Sequence, residues 1–219
     1  MKNKLIPIII SVVVLVGIFF AGAHFYKKSQ QERLGFLAQD NIELFYPDYS
    51  PVYGDEDAKV IVTEFLDPEC ESCRRFYPEV KKVLKMYEGK VKLVVRYAAF
   101  HRNSMHAITV LEATRKQGKF WESLELLFKY QPSWASHHNP QPHLVFNYLP
   151  EVGVDIEQLK KDMQDPEIAK HIQQDAEDMK TLKVRGTPSF FVNGQALEQF
   201  GVGYLYSAIE REVKKYYSK

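Results

Sequence analysis

Asp67-Pro68-Glu69-Cys70-Glu71-Ser72-Cys73 holds both cysteines of the 219-residue chain. Two thiols this close can exchange disulfides, because a thiolate attacks a disulfide sulfur and passes through a mixed disulfide. No third cysteine is present to make a structural bridge, so the pair reads as a redox centre. The run before it, Val60-Ile61-Val62-Thr63-Glu64-Phe65-Leu66, has the β-branched apolar character of a buried strand. After it, Phe76, Val80, Val83, Leu84 and Tyr87 recur at helical spacing, predicting a helix from about Glu71 to Tyr87. Pro78 falls inside that helix and should kink it, and Gly89 closes it. Cys70 then sits at the helix N-terminus, where backbone N–H groups and the macrodipole favour negative charge. Its pKa should drop below that of a free thiol, while Cys73 lies one turn deeper. Cys70 is expected to attack or be attacked, and Cys73 to resolve the mixed disulfide. Glu64, Asp67, Glu69 and Glu71 oppose the thiolate, whereas Arg74 and Arg75 favour it. That balance predicts an intermediate reduction potential.

Other chemistry competes for the same residues. A zinc knuckle would need two further ligands, and His101 and His106 have His-x4-His spacing. They lie well beyond the gap of about 12–15 residues usual for such sites, so no metal is assigned. Soft thiolates also suit copper(I), with His137, His138 and His143 as further ligands in a delivery module. Glu64, six residues before Cys70, is either an edge residue facing solvent or a buried carboxyl that exchanges a proton with Cys73. Thr187-Pro188 is either a simple strand start or a cis peptide, since cis bonds belong almost only to X-Pro.

The elements that must position these residues follow from pattern. Val91 to Tyr97 reads as a second strand. From about Ser104 to Leu182 the chain is helical, with faces at Phe120, Leu124, Leu127, Phe128 and at Ile168, Ile172, Ala176, Met179. Pro132, Pro140, Pro142 and Pro150 should break this stretch into pieces. Ser189 to Val192 is a strand, Asn193-Gly194 a hairpin turn, and Gln195 to Leu197 its return. A last helix carries Leu205, Ile209, Val213 and Tyr216.

Leu5 to Ala23 is apolar and long enough to span a bilayer, with Lys2 and Lys4 before it and Lys27 and Lys28 after. It predicts a signal anchor, or a signal peptide cleaved near Ala21-Gly22-Ala23, and either sends the rest of the chain out of the cytoplasm. A net charge of +1 lacks the basic stripe of a nucleic-acid binder. The expected organisation is an anchor at 1–26, a tether and lead-in at 27–58, and a domain at 59–219 with a helical insert at about 102–182.

Together these motifs resemble the thioredoxin superfamily, and within it the DsbA-like thiol–disulfide oxidoreductases. The resemblance covers about Val52 to the C-terminus. It rests on the acid Glu64, the C-x-x-C of Cys70 and Cys73, Pro78, and the run Arg185-Gly186-Thr187-Pro188-Ser189-Phe190-Phe191-Val192-Asn193-Gly194. It implies an α/β fold, a thioredoxin-like mixed sheet flanked by helices with an inserted helical subdomain. It also implies catalytic roles for Cys70, Cys73, Glu64 and Pro188, and client contact at Thr187, Glu71 and Ser72. No cofactor is expected. Partners would be client proteins with thiols or disulfides and a membrane redox partner, DsbB-like or a reducing relay, around a monomer. Glu71-Ser72 departs from the Pro-His that strongly oxidising members resemble. An extracytoplasmic dithiol oxidase is therefore expected first, with a disulfide reductase as the alternative.

Overall fold

The computed structural model describes residues 5–40, 42–136 and 138–218. Lys2, Lys4 and His137 lie outside the described residues. Five strands form one sheet in the order β1-β3-β2-β4-β5. They are β1 (Val52–Tyr53), β2 (Val60–Leu66), β3 (Val91–Tyr97), β4 (Ser189–Val192) and β5 (Gln195–Ala196). β2 and β3 run parallel and are joined by helix α2 (Glu71–Met86), while the other pairings are antiparallel. The β-branched residues of β2 suit a central strand buried on both faces.

Period-two alternation splits the core. Val60, Val62, Leu66, Val91, Leu93 and Val95 join the apolar faces of α2 and the C-terminal helix in the larger cluster. Phe65 and Phe191 face the other way and pack with Phe45, Ala98, Leu182 and Val184. The hairpin turn at Asn193-Gly194 has both residues at positive φ, the geometry that makes Asn-Gly the preferred pair there. Its return strand is one residue shorter than expected, ending at Ala196.

Between β3 and β4 lies the helical insert: α3 (Ser104–Lys116), α4 (Phe120–Trp134), α5 (Val145–Tyr148), α6 (Ile156–Asp162) and α7 (Pro166–Thr181). Pro132 does not break α4. The helix continues to Trp134, whose buried indole donates to the Leu127 carbonyl at 2.8 Å. The final helix, α8 (Val202–Tyr217), buries Leu205, Ile209 and Val213 but leaves Tyr216 exposed near its end.

The N-terminal region departs from a bare anchor and tether. Helix α1 runs without interruption over Leu5–Asp40. Its segment Ile9–Tyr26 is exposed, apolar and long enough to cross a membrane. The lead-in that follows is packed onto the domain. Phe45 is buried, β1 pairs with β3, and the Thr63 hydroxyl donates to the Phe45 carbonyl at 2.8 Å.

Candidate active site

Cys70 caps α2 and Cys73 sits in its first turn. Both are free thiols in this structure, so the geometry is that of the reduced pair. Cys70 keeps 7% of its surface exposed and Cys73 none, which puts one sulfur within reach of another protein and hides the other. The environments drive the two thiols apart. A hydrogen bond from the Cys73 thiol is the main stabiliser of the Cys70 thiolate. The Thr187 side chain and the amides of Cys73 and Ser72 add to it, and against the cost of burial they hold Cys70 at about 5. Burial, the hydrogen bond to Cys70 and the charge of Glu64 push Cys73 far upward. At neutral pH the pair is one thiolate and one thiol.

Glu64 is fully buried on the face of β2 that carries Val62 and Leu66. Its cross-strand neighbours are Val95 on β3 and Phe190 on β4, and neither carboxyl oxygen has a hydrogen-bond partner. The solvent-facing alternative is thereby excluded. Burial first, then the charge of Cys70, raises its pKa to about 8. Glu64 is consequently a protonated acid at neutral pH, electrostatically coupled to both cysteines.

Thr187-Pro188 is a cis peptide, and the Thr187 carbonyl lies 3.3 Å from the Cys70 sulfur. That carbonyl can accept only from a thiol, so this contact favours protonation while the donors above favour the thiolate. Beside Pro188, a groove of about 360 Å³ is lined by Val184, Arg185, Phe190 and Phe200. Phe76 of α2 packs on both Phe190 and Phe200, with ring centroids 5.8 and 4.6 Å away. A larger cavity of about 1300 Å³ lies between the lead-in and the insert, but neither cysteine lines it. Glu71 and Ser72 sit on the outer face of the first turn, where Arg75 reaches them at 3.6 and 3.2 Å.

Two of the four carboxylates thought to crowd the pair are building material instead. Asp67 accepts from the amides of Glu69 and Phe100 and from the Ser104 hydroxyl, at 2.9, 3.0 and 2.7 Å. Glu69 accepts from the amide and side chain of Asn103 at 2.6 and 3.0 Å. Both are buried, and they clamp the active-site loop to the loop after β3. Gln131 of α4 provides a third clamp, donating to the carbonyls of Pro68 and Cys70 at 2.8 and 3.0 Å and accepting from Arg74 at 3.0 Å. It lies on the stripe of Leu124, Leu127 and Phe128, and a polar residue on that stripe was the one sequence signal for it. Elsewhere, His106 meets Phe146 and His101 meets Asp67. Among the described residues no group of three or more His, Cys, Asp or Glu could hold a metal ion.

The thioredoxin family model matches residues 47–210, three-quarters of the chain. The chain belongs to the thioredoxin family. A probable disulfide bond formation protein D of Bacillus anthracis is 31% identical over 185 residues, covering 79% of this chain and 82% of that protein. A thioredoxin-like oxidoreductase from Silicibacter pomeroyi DSS-3 superposes with a TM-score of 0.69 at 31% identity, covering 80% of this chain and 98% of that one. Oxidised BdbD from Bacillus subtilis gives the same TM-score at 27% identity, covering 77% and 95%. Over more than three-quarters of its length the chain is thus similar to a thioredoxin-like oxidoreductase and to disulfide bond formation protein D. Other relatives are Na(+)/H(+) antiporter NhaA proteins. The chain spans only 23% of the one from Herminiimonas arsenicoxydans, at 28% identity over 151 residues.

Proposed function

We propose that the chain is a membrane-tethered, extracytoplasmic dithiol oxidase working through Cys70 and Cys73. The observation that carries this reading is the stabilised thiolate at Cys70, about 5 against an ordinary thiol near 9. Stabilising the reduced form makes the disulfide easier to reduce, and so makes the oxidised protein a stronger oxidant.

The cycle begins when a client thiolate attacks the Cys70 sulfur of the Cys70–Cys73 disulfide. That bond breaks, and Cys73 leaves as a thiolate and takes the proton of Glu64. A second client thiolate then attacks the client sulfur of the mixed disulfide. Cys70 departs as the thiolate its surroundings favour, and two electrons have passed from client to enzyme. Glu64 regains a proton from solvent. A membrane quinone-linked partner, similar to DsbB, removes the two electrons and restores the disulfide. Thr187, Pro188, Glu71 and Ser72 form the surface a client meets.

In this reading the chemistry sits at a bacterial inner membrane, with the domain facing the periplasm or extracytoplasmic space. The apolar, exposed segment Ile9–Tyr26 supports that placement. Stoichiometric mixing of the oxidised full-length protein with a reduced two-cysteine peptide tests the reading. The peptide should become oxidised as Cys70–Cys73 is reduced. An equilibrium that instead leaves the protein oxidised and the peptide reduced would assign the reductase direction. Membrane-fraction retention after alkaline washing tests the tether, and release into the wash would remove it.

A further inference from the structure

We propose that His101, oriented by Asp67, is the counter-ion of the Cys70 thiolate and a positioning residue for the exchange reaction; this deepens the Cys70–Cys73 reading above and rests on it. Glu71-Ser72 puts no cation between the two cysteines. The loop after β3 supplies one from 31 residues away.

That loop is fixed on both sides of His101. The Ala98 amide donates to the Leu66 carbonyl at 3.0 Å, and the Phe100 amide to Asp67 at 3.0 Å. Beyond His101, Asn103 is bound to Glu69 and Ser104 to Asp67. The His101 amide itself donates to the Ser104 hydroxyl at 3.0 Å. Asp67 is fully buried and immediately precedes the turn that carries Cys70, whose amide donates to the Asp67 carbonyl at 3.0 Å. The donors it takes from Glu69, Phe100 and Ser104 are neutral, and a buried carboxylate held by neutral donors alone is costly. His101 Nδ1, 2.7 Å from Asp67 Oδ2, supplies the positive charge.

With Nδ1–H committed to the carboxylate, ring orientation and tautomer are fixed, and Nε2 carries the second proton. Asp67, Cys70 and Glu69, all on the active-site loop, act on the ring with negative charge. Partial burial works against the imidazolium, but Asp67 and then Cys70 and Glu69 outweigh it and raise the His101 pKa above its usual value. When a client dithiol reduces the pair, the client S–S bond forms, the Cys70–Cys73 bond breaks and two protons leave the client. One ends on Cys73. The other passes to solvent, and the His101 imidazolium, already protonated, offsets the charge of the new thiolate.

The test is a pH titration of the Cys70 thiolate in the reduced full-length protein, by thiolate absorbance and iodoacetamide alkylation, with reduction potentials against glutathione. Wild type should show a midpoint near 5 and a second inflection at higher pH, as His101 loses its proton. His101→Gln should raise the Cys70 acid constant's midpoint by about one unit and abolish the second inflection. That tenfold change corresponds to a potential about 30 mV more negative. His101→Lys should keep the midpoint low without the second inflection. His106→Gln removes a histidine that packs on Phe146 rather than on Asp67, and should titrate like wild type. An unmoved midpoint in His101→Gln, or an equal shift in His106→Gln, would overturn the proposal, as would His101→Lys behaving like His101→Gln. A wild-type potential in the reductase range would defeat the oxidase reading alone, because the His101 effect is read as a difference between variants.

Discussion

Glu64 and Arg96 are both fully buried ionisable residues on adjacent central strands, and their treatment by the fold is opposite. Arg96 points to the face of the sheet away from α2 and is saturated with partners. Its guanidinium donates to Asp175 at 2.7 Å, Asp178 at 2.6 Å, the Leu44 carbonyl at 2.6 Å and the Tyr49 hydroxyl at 3.1 Å. Asp175 takes the Tyr97 amide and the Tyr49 hydroxyl as well. This network ties the lead-in, β3 and α7 together. Glu64, on the active-site face, has no partner at either oxygen. The sheet can satisfy a buried charge where the charge is structural. At Glu64 it withholds partners, and the result is an acid whose proton can be moved.

The contrast predicts that the two sites fail differently. Arg96→Met should cost about 3–5 kcal/mol, because it strands two buried carboxylates. Denaturant unfolding would measure it, and the surviving folded fraction should still exchange disulfides. Glu64→Gln should do the reverse. Loss of its proton-transfer role should slow formation of the mixed disulfide, the step in which Cys73 leaves, by roughly 100-fold in stopped-flow experiments, with little loss of stability.

Glu64→Gln should also change the pH dependence of stability. The folded-state pKa of about 8 lies above the ordinary value of 4.5, so the native state holds a proton that the unfolded chain releases. Its contribution is fully present below about 4.5 and is lost as pH rises through 8. Glu64→Gln should therefore gain on wild type across that window, and parallel pH curves would remove the buried-acid assignment. Gln131→Leu should cost about 1–3 kcal/mol by leaving the Pro68 carbonyl unpaired and removing one of the two donors to the Cys70 carbonyl, with a measurable change in Cys70 alkylation rate. The smallest effect is expected at the exposed Lys81–Glu125 pair between α2 and the insert, 2.6 Å apart. Lys81→Ala should cost no more than about 1 kcal/mol, since solvent screens the pair.

Sequence made the sheet side of the site readable. β2, β3 and β4 begin and end where the apolar runs read as strands do, and α2 starts where the cysteines require. Glu64, Cys70, Cys73 and Thr187-Pro188 do converge, because β2, the turn after it and the loop before β4 meet through the pairing of β2 with β4. What stayed hidden was long-range polar pairing. Asp67 and Glu69 look like anionic clutter until their long-range donors appear 33 to 37 residues away. The lead-in was underread for a related reason. β1 is only two residues long and shows no alternation, and the partners of Tyr49 lie in β3 and α7. Asp175 left one trace, a carboxylate in register with Ile168 and Ile172 on an apolar stripe.

The central claim is that Cys70 is held as a thiolate strongly enough to make the disulfide an oxidant. The reduction potential of the Cys70–Cys73 couple, measured on the full-length protein by equilibration with glutathione, tests it most directly. A Cys70 near 5 lies between the thiols of DsbA (~3.5) and thioredoxin (~7), and predicts a potential of about −120 to −200 mV. A value near about −270 mV would contradict the account and make the protein a reductant.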